Sequence, residues 1–191
     1  MTAEGSSGGN RRYDPDRKAR IIEATLEVIA VQGVSGTTHR RVAEAADVPL
    51  GSMTYHFASL DDLLEQAFLK LTQEIAHHFD AAFRKAQTAD DAREAVVDVM
   101  CGWVSMTDRK MTLILELYAY VARNPATRHV MTGWMAKSRE ALERHFSPAV
   151  AASLDAMIEG ATIHNFMYPD GIPRDAARLI VAKLSGGLDP A

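Results

Sequence analysis

The sequence predicts an all-α protein of about nine helices, and three observations lead to this class. Apolar residues recur at three-to-four spacing through most of the chain from Asp14 onward, as on one face of an amphipathic helix. Helix start signals stand before several of these segments. Neither period-2 alternation nor an Asn-Gly hairpin turn is present, and no repeat of fixed period occurs. The segments therefore predict helices that pack around a core, without strands.

The first helix is predicted to begin at Pro15 and to end at Gly33. Asp14 is a candidate cap, and a proline at the first helical position loses no hydrogen bond, because that N–H has no partner within the helix. One face of this helix carries Ile22, Leu26 and Ile29 at positions i, i+4 and i+7.

Two short helices follow, separated by the tight turn "ADVP". The second helix runs from Thr37 to Ala46. The third begins at Pro49, because Val48, the residue before the proline, is biased away from helical angles. Two short helices joined by a tight turn are typical of a helix-turn-helix, whose second helix can enter the major groove of DNA. The residues expected to face inward are Val42, Ala46, Val48, Met53 and Phe57.

A long fourth helix is predicted over "SLDDLLEQAFLKLTQEIAHHF", because Ser59 and Asp62 have the spacing of a capping box. Five more segments carry apolar residues at helical spacing. They are "DDAREAVVDVMCGWVSM", "RKMTLILELYAYVARN", "PATRHVMTGWMAKSREALERHF", "SPAVAASLDAMIEGATIHNFMY" and "PRDAARLIVAKL".

The outward residues of the helix-turn-helix suit a DNA duplex. Arg40 supplies positive charge, hydroxyl and ring groups can donate to phosphate oxygens, and Gly51 lets the backbone come close. The predicted DNA-binding residues are Thr38, His39, Arg40, Leu50, Gly51, Ser52, Thr54, Tyr55 and His56.

Residues 21 to 64, "IIEATLEVIAVQGVSGTTHRRVAEAADVPLGSMTYHFASLDDLL", resemble the tetracycline-repressor (TetR) family of regulators. The pattern "VxxGSxxYHF" carries the resemblance, since it follows a short helix and precedes a capped long one. The resemblance implies that these three helices form a DNA-binding domain and that a larger helical domain binds a small molecule and dimerises. It also implies operator contacts at the nine residues named above, with Tyr55 and His56 as phosphate clamps.

One position departs from the family pattern. Leu60 stands where the family often has a lysine, so a phosphate contact is expected to be missing there. The candidates to replace it are Arg11, Arg12, Arg17 and Lys18, which precede the helix-turn-helix.

The predicted organisation has three parts: a flexible arm over 1–13, a DNA-binding domain over 14–58, and a ligand-binding and dimerisation domain over 59–191. The expected function is that of a repressor. Its homodimer binds a palindromic double-stranded DNA operator and is released by a small apolar or amphipathic effector molecule.

The larger domain is rich in methionine and aromatic residues, which can repack around ligands of varied shape. The same residues at helical spacing also suit a plain core, and the sequence leaves both interpretations open. His164 suits either the orientation of a polar group on a ligand or the satisfaction of a buried backbone group. The predicted ligand-binding residues are Trp103, Met106, Leu115, Tyr118, Trp134, Met135, His164 and Met167.

The last two helices each carry a stripe that is predicted to form a two-fold dimer interface, because small and apolar residues allow two helices to approach closely. The first stripe consists of Leu154, Met157, Ile158, Ala161 and Asn165. The second consists of Ala176, Ala177, Ile180, Val181 and Leu184.

Composition limits the remaining classes. The net charge of −4 argues against a uniformly basic nucleic-acid coat, and since residues 1–57 hold seven basic and seven acidic residues, the deficit falls wholly in 58–191. The single cysteine, Cys101, cannot form an intrachain disulfide, and no apolar run reaches the length of a membrane helix. A cytoplasmic protein that does not enter the membrane is therefore expected.

Enzyme motifs such as a nucleophile elbow, a P-loop, a dinucleotide-binding glycine turn and a His-Glu-x-x-His pair do not occur. His77 and His78 diverge by about 100 degrees on a helix, so they cannot bind one metal ion together. No cofactor and no metal are predicted. A helical protein-binding adaptor and an enzyme remain the alternatives to a regulator.

Overall fold

The computed structural model describes residues 15–102, 106–168 and 170–186, and this part of the chain contains nine α-helices, one short 3-10 helix and no strand. The helices are α1 Arg17–Gly36, α2 His39–Ala45, α3 Gly51–His56, α4 Leu60–Phe83, α5 Ala89–Gly102, α6 Asp108–Arg123, α7 Arg128–Glu143, α8 Pro148–Met167 and α9 Arg174–Leu184, with the 3-10 helix at Pro125–Thr127. The all-α class and the number of helices are confirmed.

The chain divides into two compact units between Ala67 and Phe68, within α4. The domain boundary predicted from the sequence lies earlier, between residues 58 and 59. The predicted arm over residues 1–13 and the predicted cap Asp14 lie outside the described residues.

The first unit contains α1, α2, α3 and the start of α4, and their apolar faces form one core. Its buried residues are Ile21, Ala24, Val28, Val42, Ala43, Ala46, Met53, Phe57 and Leu63. Of the five residues expected to face inward, four are buried there, while Val48 is partly exposed and packs against that core.

The start of α1 differs from the sequence prediction, whereas the predicted end at Gly33 coincides with a break in the helix. The helix begins at Arg17 instead of Pro15, with Asp16 at the N-cap position. Gly33 interrupts the helical geometry with a φ of 69° and a ψ of 171°, angles that glycine adopts with little steric cost. The regular helix therefore breaks at Gly33, the predicted end, and one more helical stretch continues α1 to Gly36.

The predicted capping signal at the start of α4 is present. The Ser59 hydroxyl oxygen accepts a hydrogen bond from the Asp62 backbone N–H at 3.1 Å. The Asp62 carboxylate in turn accepts one from the Ala58 N–H at 2.8 Å. Together with the hydrogen bond from Gln66, this bond holds the pKa of Asp62 below its usual range.

The second unit contains the rest of α4 and α5 to α9. Helix α8 packs against α5 and α7, and α9 packs against α5. On the surface, the Glu94 carboxylate of α5 accepts hydrogen bonds from Arg174 and Arg178 of α9, each at 2.8 Å. These hydrogen bonds, above all the one from Arg178, hold the pKa of Glu94 below its usual range. These contacts hold α9 with one face against α5.

Candidate DNA-binding surface and ligand cavity

Local hydrogen bonds set the angle between α2 and α3. The Thr38 hydroxyl caps α2 by accepting from the Arg41 N–H at 3.3 Å. At the other end of α2, the Val48 N–H donates to the Ala43 carbonyl at 3.0 Å. Asp47 lies between them with a φ of 50°, in the left-handed region that aspartate tolerates better than most residues. The turn "ADVP" therefore ends α2 abruptly and starts α3 in a new direction.

Helix α3 is held by one face and exposes the other. Met53 and Phe57 are buried in the core of the first unit. On the opposite side Tyr55 is 84% exposed, and Leu50, at the N-cap position before α3, is 54% exposed. A Cβ added to Gly51 would meet no atom within 4 Å, so the helix start is open to an approaching molecule.

Most of the predicted DNA-binding side chains lie on the surface of this unit. Thr38, Arg40 and Thr54 are exposed as well, and His56 is partly exposed with its ring edge-to-face against Tyr55, the centroids 4.8 Å apart. These groups offer hydroxyl, guanidinium and ring donors from α2 and α3.

Two of the predicted residues are placed differently. Ser52 is only 8% exposed, so its side chain faces the domain and not the solvent. His39 is partly buried, and its Nε2 atom is buried without a hydrogen-bond partner among the described residues. In α3, a helix of six residues, sequence periodicity is too short to assign faces to neighbouring positions.

The basic residues that precede the helix-turn-helix are partly described. Arg11 and Arg12 lie outside the described residues, whereas Arg17 and Lys18 form the start of α1. The Lys18 Nζ lies 5.6 Å from the centroid of the Phe57 ring, within the range of a cation–π contact. Lys18 is thereby held close to the end of α3.

The second unit contains an apolar cavity of about 540 Å³ of non-protein space, open in part to solvent. Its walls come from α4, α6, α7 and α8 and from Met106, which precedes α6. The lining residues are Ile75, Phe79, Met106, Met111, Ile114, Tyr118, Trp134, Met135, Ser138, Asp155, Ile158, Glu159, Thr162 and Ile163.

Half of the predicted ligand-binding residues line this cavity: Met106, Tyr118, Trp134 and Met135. Leu115 is partly buried outside it, and Met167 is 56% exposed. His164 is exposed and its ring lies edge-to-face with Tyr168, so it serves neither of the two roles that the sequence suggested. Trp103 lies outside the described residues.

Sequence reasoning missed two carboxylates that line the cavity, Asp155 and Glu159 of α8. Burial raises the pKa of both groups, and for Asp155 it outweighs the opposing effect of Arg139, whose Nε donates to Oδ2 at 3.2 Å. A signal was available in the sequence. These two are the only Asp, Glu, Lys or Arg residues in the twenty residues of α8, and they lie one turn apart on one face.

The residues predicted for the dimer interface divide into two groups. Five of them are buried within this chain, where a second subunit cannot reach them: Leu154, Ile158, Ala161, Ala177 and Val181. The stripe on α8 is apolar because it packs against neighbouring helices of the same unit. Ala176, Ile180 and Leu184 of α9 are exposed, while Met157 is partly buried.

Asn165 also has a role within the chain. Its side-chain amide N–H donates to the Met100 carbonyl at 2.5 Å, and its carbonyl oxygen accepts from the Ile172 N–H at 2.9 Å. It therefore joins the end of α5 to the segment before α9. Three large apolar side chains that were not predicted as site residues are also exposed in or near α8 and α9: Phe166, Tyr168 and Leu179.

The described residues include no helix that qualifies as a membrane-spanning segment. Within the same part of the chain, no three His, Cys, Asp or Glu side chains lie close enough to share a metal ion.

Family models match both units. Residues 21–67 match the model for bacterial regulatory proteins of the tetR family, and residues 87–187 match the tetracyclin repressor-like C-terminal domain. The first match contains α2 and α3, and the second contains three of the four helices that line the cavity.

Individual proteins are similar over most of their length. The HTH-type transcriptional regulator BetI 1 of Chromohalobacter salexigens is 28% identical over 176 residues, which cover 86% of each chain. The structure of SCO7518 from Streptomyces coelicolor A3(2) has a TM-score of 0.86 and 42% identity, and the match covers 90% of this chain and 99% of that one. The multidrug binding protein EbrR complexed with ethidium has a TM-score of 0.74 and 31% identity, with 88% and 98% covered.

Regulators of this family bind operator DNA and small-molecule effectors and act as homodimers. The two family models together cover the helix-turn-helix and most of the second unit. The chain belongs to the tetR family of bacterial regulatory proteins, and it is a ligand-responsive DNA-binding transcriptional regulator rather than an enzyme.

Proposed function

We propose that the protein is a cytoplasmic repressor that binds a palindromic operator and leaves it when a small apolar or amphipathic molecule enters the cavity of the second unit. The observation that carries this proposal is the opposite character of two helix faces. Helix α3 exposes Tyr55 and Thr54 to solvent, and Leu50 at its N-cap is exposed too, whereas several side chains of α8 line an apolar cavity. The first face suits a polyanionic duplex and the second a small molecule.

The DNA-binding surface is proposed to consist of seven of the nine residues selected from the sequence: Thr38, Arg40, Leu50, Gly51, Thr54, Tyr55 and His56. Exposed side chains can reach phosphates and base edges without a change in the fold. Ser52 and His39 support this surface from within, because their side chains are turned toward the domain. Among the exposed side chains of this surface, Arg40 and Tyr55 carry the strongest hydrogen-bond donors, a guanidinium and a phenol.

Helix α4 supplies the physical connection between effector and operator. It begins in the first unit, where Leu63 is buried in the core, and ends in the second unit, where Ile75 and Phe79 line the cavity. A ligand that displaces the cavity wall formed by α4 therefore acts on the element that enters the DNA-binding unit. Because operator and effector favour different positions of α4, each weakens the binding of the other by the same factor.

Exposed residues of α9 support a role for this helix in the homodimer. Ala176, Leu179, Ile180 and Leu184 present exposed apolar surface on α9, whose Ala177 and Val181 are buried. A two-fold axis requires one self-complementary surface from each subunit. The dimer then offers two copies of α3 to successive major grooves, one helical turn apart.

Selection of bound sequences from random duplex DNA, followed by competition with a panel of small molecules, tests this function. The expected result is a palindromic site whose complex with the protein is dissolved by at least one apolar or amphipathic compound. The affinity for this site should also fall steeply as the salt concentration rises. Each neutralised phosphate adds about −0.9 to the slope of the logarithm of the binding constant against the logarithm of the salt concentration. Failure to select any sequence contradicts the assignment of the operator surface. An operator complex that no compound dissolves contradicts the role of the cavity.

A further inference from the structure

Of the two carboxylates that line the cavity, only one has a counter-ion within the described part of the chain. Asp155 is paired, since Arg139 Nε lies 3.2 Å from its Oδ2. Glu159, one turn further along α8, makes no hydrogen bond or ion pair within the described ranges. Burial raises the pKa of Glu159, and no opposing effect offsets it. A carboxylate that has lost part of its hydration without gaining a partner costs free energy in the empty protein.

The walls around Glu159 suit a cation better than any other charge. Phe79, Tyr118 and Trp134 contribute aromatic rings, whose faces attract positive charge. Methionine side chains from α7 and from the start of α6 add polarisable sulfur. Among the described residues that line the cavity there is no Lys or Arg, so an anionic ligand would find no positive partner in these walls.

We propose that the effector is an organic monocation with an apolar body, and that Glu159 is its counter-ion. This inference rests on the proposed function, because it names the class of molecule that the regulatory cavity takes. The charge is single because Arg139 already compensates Asp155, which leaves one free carboxylate. A neutral molecule of the same shape fills the same space but removes further water from a half-buried carboxylate without pairing it, so the cavity discriminates against it.

A matched pair of probes separates charge from shape. Phenyltrimethylammonium and tert-butylbenzene have nearly the same size and form, but only the first carries a positive charge, which no pH change removes. Binding of both is measured by titration calorimetry, without DNA, to the full-length parent, to Glu159→Gln and to a control, Glu143→Gln. Glu143 is an exposed residue of α7 that does not line the cavity, so its variant reports the effect of one lost negative charge elsewhere.

The parent and Glu143→Gln are expected to bind phenyltrimethylammonium at least about tenfold more tightly than tert-butylbenzene, which corresponds to about 1.4 kcal/mol. Glu159→Gln should lose that difference by binding the cation more weakly, while its affinity for tert-butylbenzene stays within about twofold of the parent. Retained binding of the neutral probe shows that the cavity is intact in the variant.

Four outcomes overturn the inference. In the first, the neutral probe binds the parent as tightly as the cation does. In the second, the cation binds Glu159→Gln as tightly as it binds the parent. In the third, Glu159→Gln binds neither probe, which would mean that the residue maintains the shape of the cavity and does not act as a counter-ion. A parent that binds neither probe also contradicts it. Binding of the parent to the selected operator is measured separately by electrophoretic mobility shift, without any probe. Each of these failures is therefore distinguishable from a failure of the DNA-binding function.

Discussion

The two units of the chain place their polar side chains in opposite ways. The first unit exposes them on the surface of α2 and α3, where Tyr55 and Arg40 are hydrated until another partner replaces water. The second unit encloses carboxylates of α8 in an apolar cavity, where water is already partly removed. An exposed donor costs little when it is unoccupied, whereas a buried carboxylate is unfavourable until it is paired. The difference explains why one surface suits a large polyanion and the other a small complementary ligand.

The largest expected effect compares two exposed apolar side chains, Ile180 of α9 in the second unit and Val31 of α1 in the first. Ile180→Glu places a charge on the exposed face of α9, and we expect the free energy of dimerisation to fall by about 3 to 5 kcal/mol, because the charge is buried without a partner at the interface. Analytical ultracentrifugation over a range of concentrations measures this change.

Val31→Glu is the matched control, since Val31 is 81% exposed on α1 in the first unit. It should leave the dimer unchanged. A parent that sediments as a monomer at micromolar concentration, or equal weakening by the two variants, removes α9 from the proposed interface.

The second prediction tests whether the exposed face of α3 depends on its buried face. Met53 is fully buried beneath α3, so Met53→Ala should lower the free energy of unfolding by about 2 to 5 kcal/mol through lost burial and a residual cavity. Urea denaturation followed by circular dichroism measures it. Thr54→Ala, one position along the same helix but exposed, should change that free energy by less than about 0.5 kcal/mol. Similar losses for the two variants would mean that α3 has no distinct inner and outer face.

The third prediction concerns the exposed face alone. Arg40→Ala and Tyr55→Ala should each weaken operator binding by about 1.5 to 3 kcal/mol, the usual range for a hydrogen bond to a charged group, without a change in thermal stability. For Arg40→Ala the salt dependence should also become shallower by about one phosphate contact. Electrophoretic mobility shifts at several salt concentrations provide both quantities. If both variants bind the selected operator as tightly as the parent, the DNA-contacting residues lie elsewhere.

The smallest expected effect is a pH-dependent one at Glu159. A carboxyl whose pKa is raised on folding adds stability below its unfolded pKa, near 4.5, and loses that contribution as pH rises through the folded pKa. At pH 7 the parent therefore carries an unfavourable buried charge that Glu159→Gln lacks. The variant should be slightly more stable than the parent at pH 7, and the difference should shrink as pH falls toward 4.5.

Denaturation midpoints at several pH values, compared with those of Glu143→Gln, measure this effect. The control removes an exposed charge from the neighbouring helix α7. A Glu159→Gln variant that is less stable than the parent at pH 7 would show that the carboxylate has a stabilising partner.

The sequence predicted local features well and their surroundings less well. The capping box at Ser59, the turn "ADVP" between α2 and α3 and the inward face of Met53 and Phe57 all depend on residues a few positions apart, and all are present in the structure, although α3 begins at Gly51 and not at Pro49. The stripe on α8 that includes Leu154 and Ile158 was predicted as a dimer interface. It is instead part of the core of the same chain, because an apolar stripe requires burial but does not specify which helix covers it.

By itself, the sequence determined the helical class, the position of the helix-turn-helix and the exposed character of most of its outer residues, because helix periodicity, capping and turn chemistry act within a few residues. Only the tertiary structure decided that Glu159 lines a cavity without a partner while Asp155 is paired with Arg139 of another helix. A charged residue on a helix normally marks a solvent face, and in α8 it does not, since α4, α6 and α7 also contribute walls to that cavity. Which side chains share a site depends on contacts between helices far apart in the chain, and hydrophobic periodicity carries no information about those contacts.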